Sequence, residues 1–583
     1  LIRLSREKEF KVHRAYASRC DTDKPYRDGG RFNLKKVTKA NGKLFDESGL
    51  NFPDHRIRDK EYYTMFGPCF AHVGRRYRVD DVGLRGAVTR LTCAREPDRR
   101  DLHEVLRSNQ FANYGVSRIF KVYSSWIIRA LMVNVMDTNP DDDRYEWVHA
   151  DHPKRELRKR THRALWNDGR ITHKTWLEDV GYKCKAGEVL PPGKYLRATG
   201  DLGSPATAKA AYMMDSVKEA FSHKFIHRQG DMNSSFQFVK KPERGRLIEA
   251  FSDIIAKGED LTMKCFSDDG IIGIDTPEGR YVANTDISAC DGSNFDPVFD
   301  FLENILVKAG YHVGDVRAVF KQCTADCRIT SIVDKLDKIS RRRKIVLTPK
   351  WKTLFSGSTL TTLINNCANF GIFASVHDML PPYEKRKISE MGDLISRASA
   401  EVGFLVKCQQ CKCLEDLQFL KISPTMVAGK MEVFLNLGVL LRNLGSVRGD
   451  LPGTGSLEER GRVFTSDVIK SYVHAGNHEI TDALRTKIVK RSRAQGGQNQ
   501  HYDEAVRSRI EGETVVRIPI TALCARYKVS MADFFLFAQH IEDVQQGQIL
   551  KSRVLDAIFA ADYAYGSSYG APMVKQIPVV MHL

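Results

Sequence analysis

One stretch constrains this chain more than any other. Residues 263–295, "MKCFSDDGIIGIDTPEGRYVANTDISACDGSNF", hold two groups of carboxylates on either side of a short turn. The run "DGIIGID" is rich in β-forming residues and "RYVANTDIS" reads as a strand. Between them "TPEG" at 276–279 has Pro second and Gly fourth, as a type I turn prefers. The strands are predicted to pair antiparallel with Thr276 facing Gly279, which puts Asp269 opposite Asp286 and Asp268 one residue away. Cross-strand neighbours stand roughly 4.5–5.5 Å apart, so the three acids would repel strongly unless cations sat among them. Carboxylate oxygens suit Mg²⁺ or Mn²⁺, above all when substrate phosphates complete the shell, and two such ions serve in-line phosphoryl transfer. Alone, "SDDG" would be an ordinary turn; its pairing with "DISACD" points to a site.

At 583 residues the chain is long enough for several subdomains around a large interior. Lys plus Arg number 90 against 72 Asp plus Glu, a net charge of +18 that favours polyanionic partners such as nucleic acid. The apolar stretch "WIIRALMVNVM" at 126–136 is broken by Arg129 and too short to cross a bilayer, so no transmembrane segment is expected. Nor does the opening "LIRLSREKEFKVHR" have the layout of a signal peptide. The 13 cysteines then read as reduced thiols of a cytosolic protein. Cys408, Cys411 and Cys413 in "CQQCKC", near "CTADC" at 323–327, would need a fourth ligand at tetrahedral reach to bind zinc, and read as ordinary thiols. Apolar residues at helical spacing between 505 and 563 predict a largely helical C-terminal part.

Two motifs carry a resemblance. "DISACDGSNF", with Asp286 and Asp291 five positions apart, resembles motif A of viral RNA-dependent RNA polymerases. "SGSTLTTLINN" is similar to their motif B, matched by Ser356, Gly357, Thr361 and Asn365. Gly357 would let a loop approach the nascent base pair closely. Asn365, about two turns into the following helix, would pair with Asp291 to detect a ribose 2′-OH, the group that distinguishes RNA from DNA.

In most such polymerases motif C, a Gly-Asp-Asp hairpin, follows motif B. Here the candidate "CFSDDGII" precedes motif A, with Ser267 where Gly is usual. After motif B the comparable dipeptide is Gly392-Asp393, in a segment of helical periodicity, and is rejected. "LISRASAEVGFLVK" resembles motif D with Lys407, and "LQFLKISP" resembles motif E with Phe419, Leu420 and Lys421. The order C, A, B, D, E is that of the internally permuted polymerases of permutotetraviruses and birnaviruses. Physics allows it, because cation binding depends on strand ends being adjacent, not on the order in which loops join them. "YKCKAGEVLPPGKYLRATGD" resembles motif F, the triphosphate-binding strand, through Lys185, Glu188, Lys194 and Arg197. Lys240, Lys241, Arg244 and Arg246 in "FVKKPERGRLIEA" are candidates for template phosphates.

The resemblance implies an α+β right-hand polymerase of fingers, palm and thumb, its antiparallel palm sheet packed on helices. Residues 1–160 would form an N-terminal extension or fingers–thumb bridge, 161–260 fingers, 261–300 palm, 301–350 a fingers insertion, 351–425 palm, and 426–583 a helical thumb and C-terminal region. It implies two Mg²⁺ or Mn²⁺ ions on Asp268, Asp269 and Asp286, with Lys407 as general acid. Its partners would be RNA template, nascent RNA and nucleoside triphosphates, in a viral replication complex of the host cytoplasm. The competing readings are a reverse transcriptase, which the Asp291/Asn365 pair disfavours, and a catalytically silent polymerase-like RNA-binding protein.

Overall fold

A computed structural model of the chain describes residues 24–25, 32–37, 93–94, 118–135, 180–184, 198–201, 204–240, 242–288, 290–325, 327–330, 344–349, 352–444, 466, 469, 476–487, 516–543 and 552–563. Its centre is a mixed sheet of six strands: β1 (Phe225–Gln229), β2 (Met232–Phe238), β3 (Leu261–Phe266), β4 (Asp269–Thr276), β5 (Gly279–Ile287) and β6 (Val406–Gln410). Spatial order follows chain order, and only the β2/β3 pair is parallel. A five-stranded sheet made from Phe32–Val37, Lys344–Pro349, Cys327–Thr330, Val180–Cys184 and Ala198–Asp201 lies elsewhere in the chain.

The β4–β5 hairpin has the register its turn predicts: Thr276 pairs with Gly279 and Asp269 with Asp286. In the turn only Gly279 takes positive φ, at 133°, while the Thr276 hydroxyl donates to the Gly279 carbonyl at 2.8 Å. Because side chains alternate along a strand, the sheet has two buried faces. Ile272, Ile274, Tyr281, Ala283 and Cys265 enter one core, covered by helices Arg118–Val135, Asp296–Lys308, Thr361–Met379 and Ile388–Glu401. Rings of Phe120, Tyr123, Phe225, Phe236, Phe301 and Phe370 interlock there in edge and stacked contacts. Ile271 and Val282 face a second core, built with helix Arg244–Ile255, the hairpin Ile422–Val427/Lys430–Leu435, and helices Ile520–Tyr527, Met531–Asp543 and Arg553–Tyr563. The last three are the helices that the spacing over 505–563 predicts.

The stretch 126–136 belongs largely to helix Arg118–Val135, whose Ile119, Phe120, Tyr123, Ile127 and Leu131 are buried. Among the described residues no helix is long and apolar enough to cross a membrane.

Near the far end of the sheet the buried His377 lies between the Ser234 hydroxyl (2.9 Å) and the Gln229 side-chain oxygen (3.1 Å), with the His227 ring 5.1 Å away. Burial, aided by His227, pushes the His377 imidazole down to about 4. An unfolded His binds its proton near pH 6.5. The extra proton is thus held by the unfolded chain, so this contribution to stability is complete above about pH 6.5 and is lost as pH falls toward 4. Urea unfolding at pH 7 and 4.5 is expected to show wild type losing roughly 2–3 kcal/mol more than His377→Gln across that window.

Candidate active site

The acids meet at one end of the six-stranded sheet. In direct register across four strands lie Phe266 on β3, Asp269 on β4, Asp286 on β5 and Lys407 on β6. Paired residues share a face, so Asp269, Asp286 and Lys407 form one lateral row on the side of the second core. Asp286 and Lys407 are exposed, and Asp269 is half-buried. Lys407 faces Asp286 across the β5–β6 pair, while the cation that acts on the Asp269 carboxyl is Lys421.

Asp268 occupies the two-residue turn between β3 and β4. Its neighbour Ser267 takes φ of 58°, the positive value that the first central position of a type II′ hairpin needs and that Gly usually supplies. Two asparagines one helical turn apart hold it there. Asn365 Nδ2 donates to the Ser267 hydroxyl at 3.1 Å and Asn369 Nδ2 to the Ser267 carbonyl at 2.6 Å. Such a backbone costs about 1–3 kcal/mol and persists only where its surroundings over-determine it. Ser267→Gly is therefore expected to stay within about 1 kcal/mol of wild type by chemical denaturation, trading relieved strain for one lost hydrogen bond. Ser267→Val, β-branched, should lose about 2–3 kcal/mol.

Asp269 is tied from the other side: its Oδ2 accepts from the Leu420 backbone N–H at 2.7 Å. Burial pushes its carboxyl up to about 7, and the charges of Asp268 and Asp286 push the same way against the Leu420 N–H and Lys421. Asp268, Asp291 and Asp286 likewise all act on the buried Cys290 thiol, which burial first of all pushes up.

Asn365 is the hub joining the turn to the segment after β5. Besides Ser267, its Nδ2 donates to Asp291 Oδ1 at 2.9 Å, while its Oδ1 accepts from Asn294 Nδ2 at 2.9 Å and from the Cys290 thiol at 3.2 Å. An amide side chain offers two donors and two acceptor positions, so all four are filled. The helix begins at Thr361, which places Asn365 in its second turn rather than about two turns in. Before it, Gly357 takes φ of 91°, a value most residues avoid, and the Thr361 hydroxyl donates back to the Phe355 carbonyl at 3.0 Å. Ser356 sits half-buried beside Gly357 in this loop.

The basic cluster is more engaged than its sequence suggests. Arg244 forms an ion pair with Glu432, joining helix Arg244–Ile255 to the Lys430–Leu435 strand. Lys240 pairs with Glu219, and Arg246 donates to the Lys240 carbonyl at 2.7 Å. Lys241, Lys185, Glu188, Lys194 and Arg197 lie outside the described residues. Asp393 is exposed on helix Ile388–Glu401, whose Gly392 abuts the Tyr281 hydroxyl on the sheet face opposite the acidic row. Cys408, Cys411 and Cys413 are free thiols, with Cys408 3.3 Å from the Tyr281 hydroxyl.

Sequence reading missed Asn369, Asn294 and the Leu420 amide. Asn369 had a usable signal, standing four residues after Asn365 on the same helix face. A backbone N–H reaching across 151 residues of chain has none.

Among the described residues no three His, Cys, Asp or Glu side chains form a ready metal cage. Mg²⁺ needs none, because it is commonly held by one or two carboxylates with waters and substrate phosphates. The donor chemistry fits such an ion: carboxylates offer hard oxygens, and burial together with the charges of Asp268 and Asp286 pushes the Asp269 carboxyl up.

No protein-family model matches the sequence, and neither does any curated protein. Among solved structures, the birnavirus VP1-VP3 complex is similar over 79% of this chain and 66% of that chain, with 11% sequence identity and a TM-score of 0.36. The chain itself has a mixed α/β fold around a mainly antiparallel six-stranded sheet.

Proposed function

We propose that this chain is a viral RNA-dependent RNA polymerase whose palm motifs run C, A, B, D, E. One observation carries the reading: Asp269, Asp286 and Lys407 stand in a single row across adjacent strands, with Asp268 in the turn beside them. Asp286 and Asp268, assisted by Asp269, would hold two Mg²⁺ or Mn²⁺ ions. Such ions, when bound, lower the pKa of a primer 3′-OH and stabilise charge on the α-phosphate.

The chain's own groups do the rest. Lys407, exposed and in register with Asp286, would donate a proton to leaving pyrophosphate. With every position on Asn365 filled, that residue aims Asp291, whose carboxylate meets the ribose 2′-OH. The Ser356–Gly357 loop brings backbone close to the nascent base pair. Lys185, Lys194 and Arg197 would neutralise the triphosphate. Lys240, Lys241 and Arg246 would follow template phosphates, while Arg244 braces the fold through Glu432. The substrates are then nucleoside triphosphates on an RNA template, in a replication complex of the host cytoplasm.

The direct test is labelled nucleotide incorporation on an RNA template with Mg²⁺ or Mn²⁺, comparing ribonucleotides with deoxyribonucleotides. Ribonucleotide-selective extension is expected. Deoxyribonucleotide preference would make the chain a reverse transcriptase. RNA binding without extension under any priming regime would make it a silent polymerase relative.

A further inference from the structure

Residues 415–421 bridge the acid-bearing strands and the C-terminal helices. Asn284 stands two residues before Asp286 on the same face of β5 and grips this segment twice. Its Nδ2 donates to the Asp416 carbonyl and its Oδ1 accepts from the Gln418 N–H, both at 2.9 Å. One step on, the Leu420 N–H holds Asp269. Leu420 and Lys421 both take positive φ, 55° and 65°, so two successive residues other than Gly are strained and need outside support.

Arg526 supplies it. The buried guanidinium donates to the Glu415 carbonyl at 3.0 Å and to the Gln418 side-chain oxygen at 2.7 Å. Its Nε and Nη2 also donate to Asp562 Oδ1, at 3.1 and 2.8 Å. The fully buried Asp562 takes the Tyr527 hydroxyl (2.9 Å) and the Gly438 N–H (2.7 Å) on its other oxygen. Lys421 reaches the Asp562 carbonyl and lies 4.5 Å over the Tyr563 ring. Apart from the Lys421–Tyr563 ring contact, the links are hydrogen bonds, and together they run from helices Ile520–Tyr527 and Arg553–Tyr563 to the carboxylate of Asp269.

We infer that Gln418, Arg526 and Asp562 are positioning residues, fixing the 415–421 segment so that the Leu420 amide orients Asp269 for cation binding. Docking of the C-terminal helices thereby governs the competence of an acid on the central sheet. The catalytic consequence rests on the polymerase reading; the mechanical link does not. Partners that orient a metal ligand typically contribute about 10–100-fold in affinity.

Removing Arg526 alone would strand a buried carboxylate and endanger folding, so the test uses Gln418. Gln418→Met removes the acceptor at similar bulk, and Gln418→Glu keeps it. Hydrogen exchange of the peptide spanning 416–424, Mn²⁺ binding to the full chain by electron paramagnetic resonance, and thermal melting are measured together. Gln418→Met is expected to speed exchange there and weaken Mn²⁺ binding roughly tenfold, with little change in melting temperature. In incorporation assays it should raise the half-saturating Mg²⁺ by a similar factor and leave the nucleotide KM unchanged, while Gln418→Glu behaves as wild type. Unchanged Mn²⁺ affinity in Gln418→Met, with or without faster exchange, would overturn the inference. If wild type incorporates no nucleotide, the polymerase reading fails by itself, and the exchange and Mn²⁺ measurements still decide this one.

Discussion

Asp286→Ala is expected to abolish nucleotide incorporation, by about a thousandfold or more, while the chain stays folded. A loss of that size corresponds to about 4 kcal/mol of transition-state stabilisation, the share expected of a carboxylate that would hold a catalytic cation. Asp286 is exposed at the end of β5, so truncating it leaves no cavity, and exposed substitutions usually stay within about 0.5 kcal/mol. Losing one of three mutually repelling acids should if anything favour the metal-free fold. Asp268→Ala, in the neighbouring turn, should behave alike. Asp393→Ala should retain most activity, because Asp393 rides a helix packed on the opposite face of the sheet from the acidic row. Single-turnover incorporation by the three variants, with circular dichroism to confirm folding, provides the check. Activity lost with Asp393 and kept with Asp268 would restore the ordinary motif order and remove the basis of the permuted reading.

The second large effect concerns choice of sugar. Asp291→Ala is expected to lower the preference for ribonucleotides over deoxyribonucleotides by about a hundredfold, since a site built to hydrogen-bond a hydroxyl rejects the analogue lacking it through groups left unpaired. Its fold should be little affected, Asp291 being half-buried and accepting one hydrogen bond from the Asn365 side-chain amide. Asn365→Ala should lose the same discrimination and also roughly 2–4 kcal/mol of stability. It removes one partner each from Asn294, the Cys290 thiol and the strained Ser267 turn. Ribo-to-deoxy incorporation ratios measured beside urea unfolding separate the two roles. An Asn365→Ala variant that kept its discrimination would show that Asn365 does not aim Asp291.

The hairpin and the Asp291–Asn365 pair were legible for different reasons. "TPEG" sets its own register, and in a period-two strand that register fixes which acids face each other. The Asp291–Asn365 bond spans 74 residues and has no local cause; its two ends were recognisable because each sits in a spaced motif. The sequence shows Ser267 only as a residue standing where Gly is usual. Its backbone strain and the second asparagine that restrains it were not visible, since φ depends on what surrounds the turn as well as on the residue within it. The basic run 240–246 showed only charge, and charge does not say whether a side chain faces solvent or an acid such as Glu432.

By itself the sequence determined which acids share a hairpin, because neighbouring residues choose the turn and the turn chooses the register. Only the tertiary structure decided that Lys407 completes the row, that Asp269 is held by the Leu420 amide, and that Arg526 and Asp562 brace the segment carrying that amide. Those contacts join segments more than a hundred residues apart. Their geometry follows from how two cores close on opposite faces of one sheet, and no stretch of chain encodes that alone.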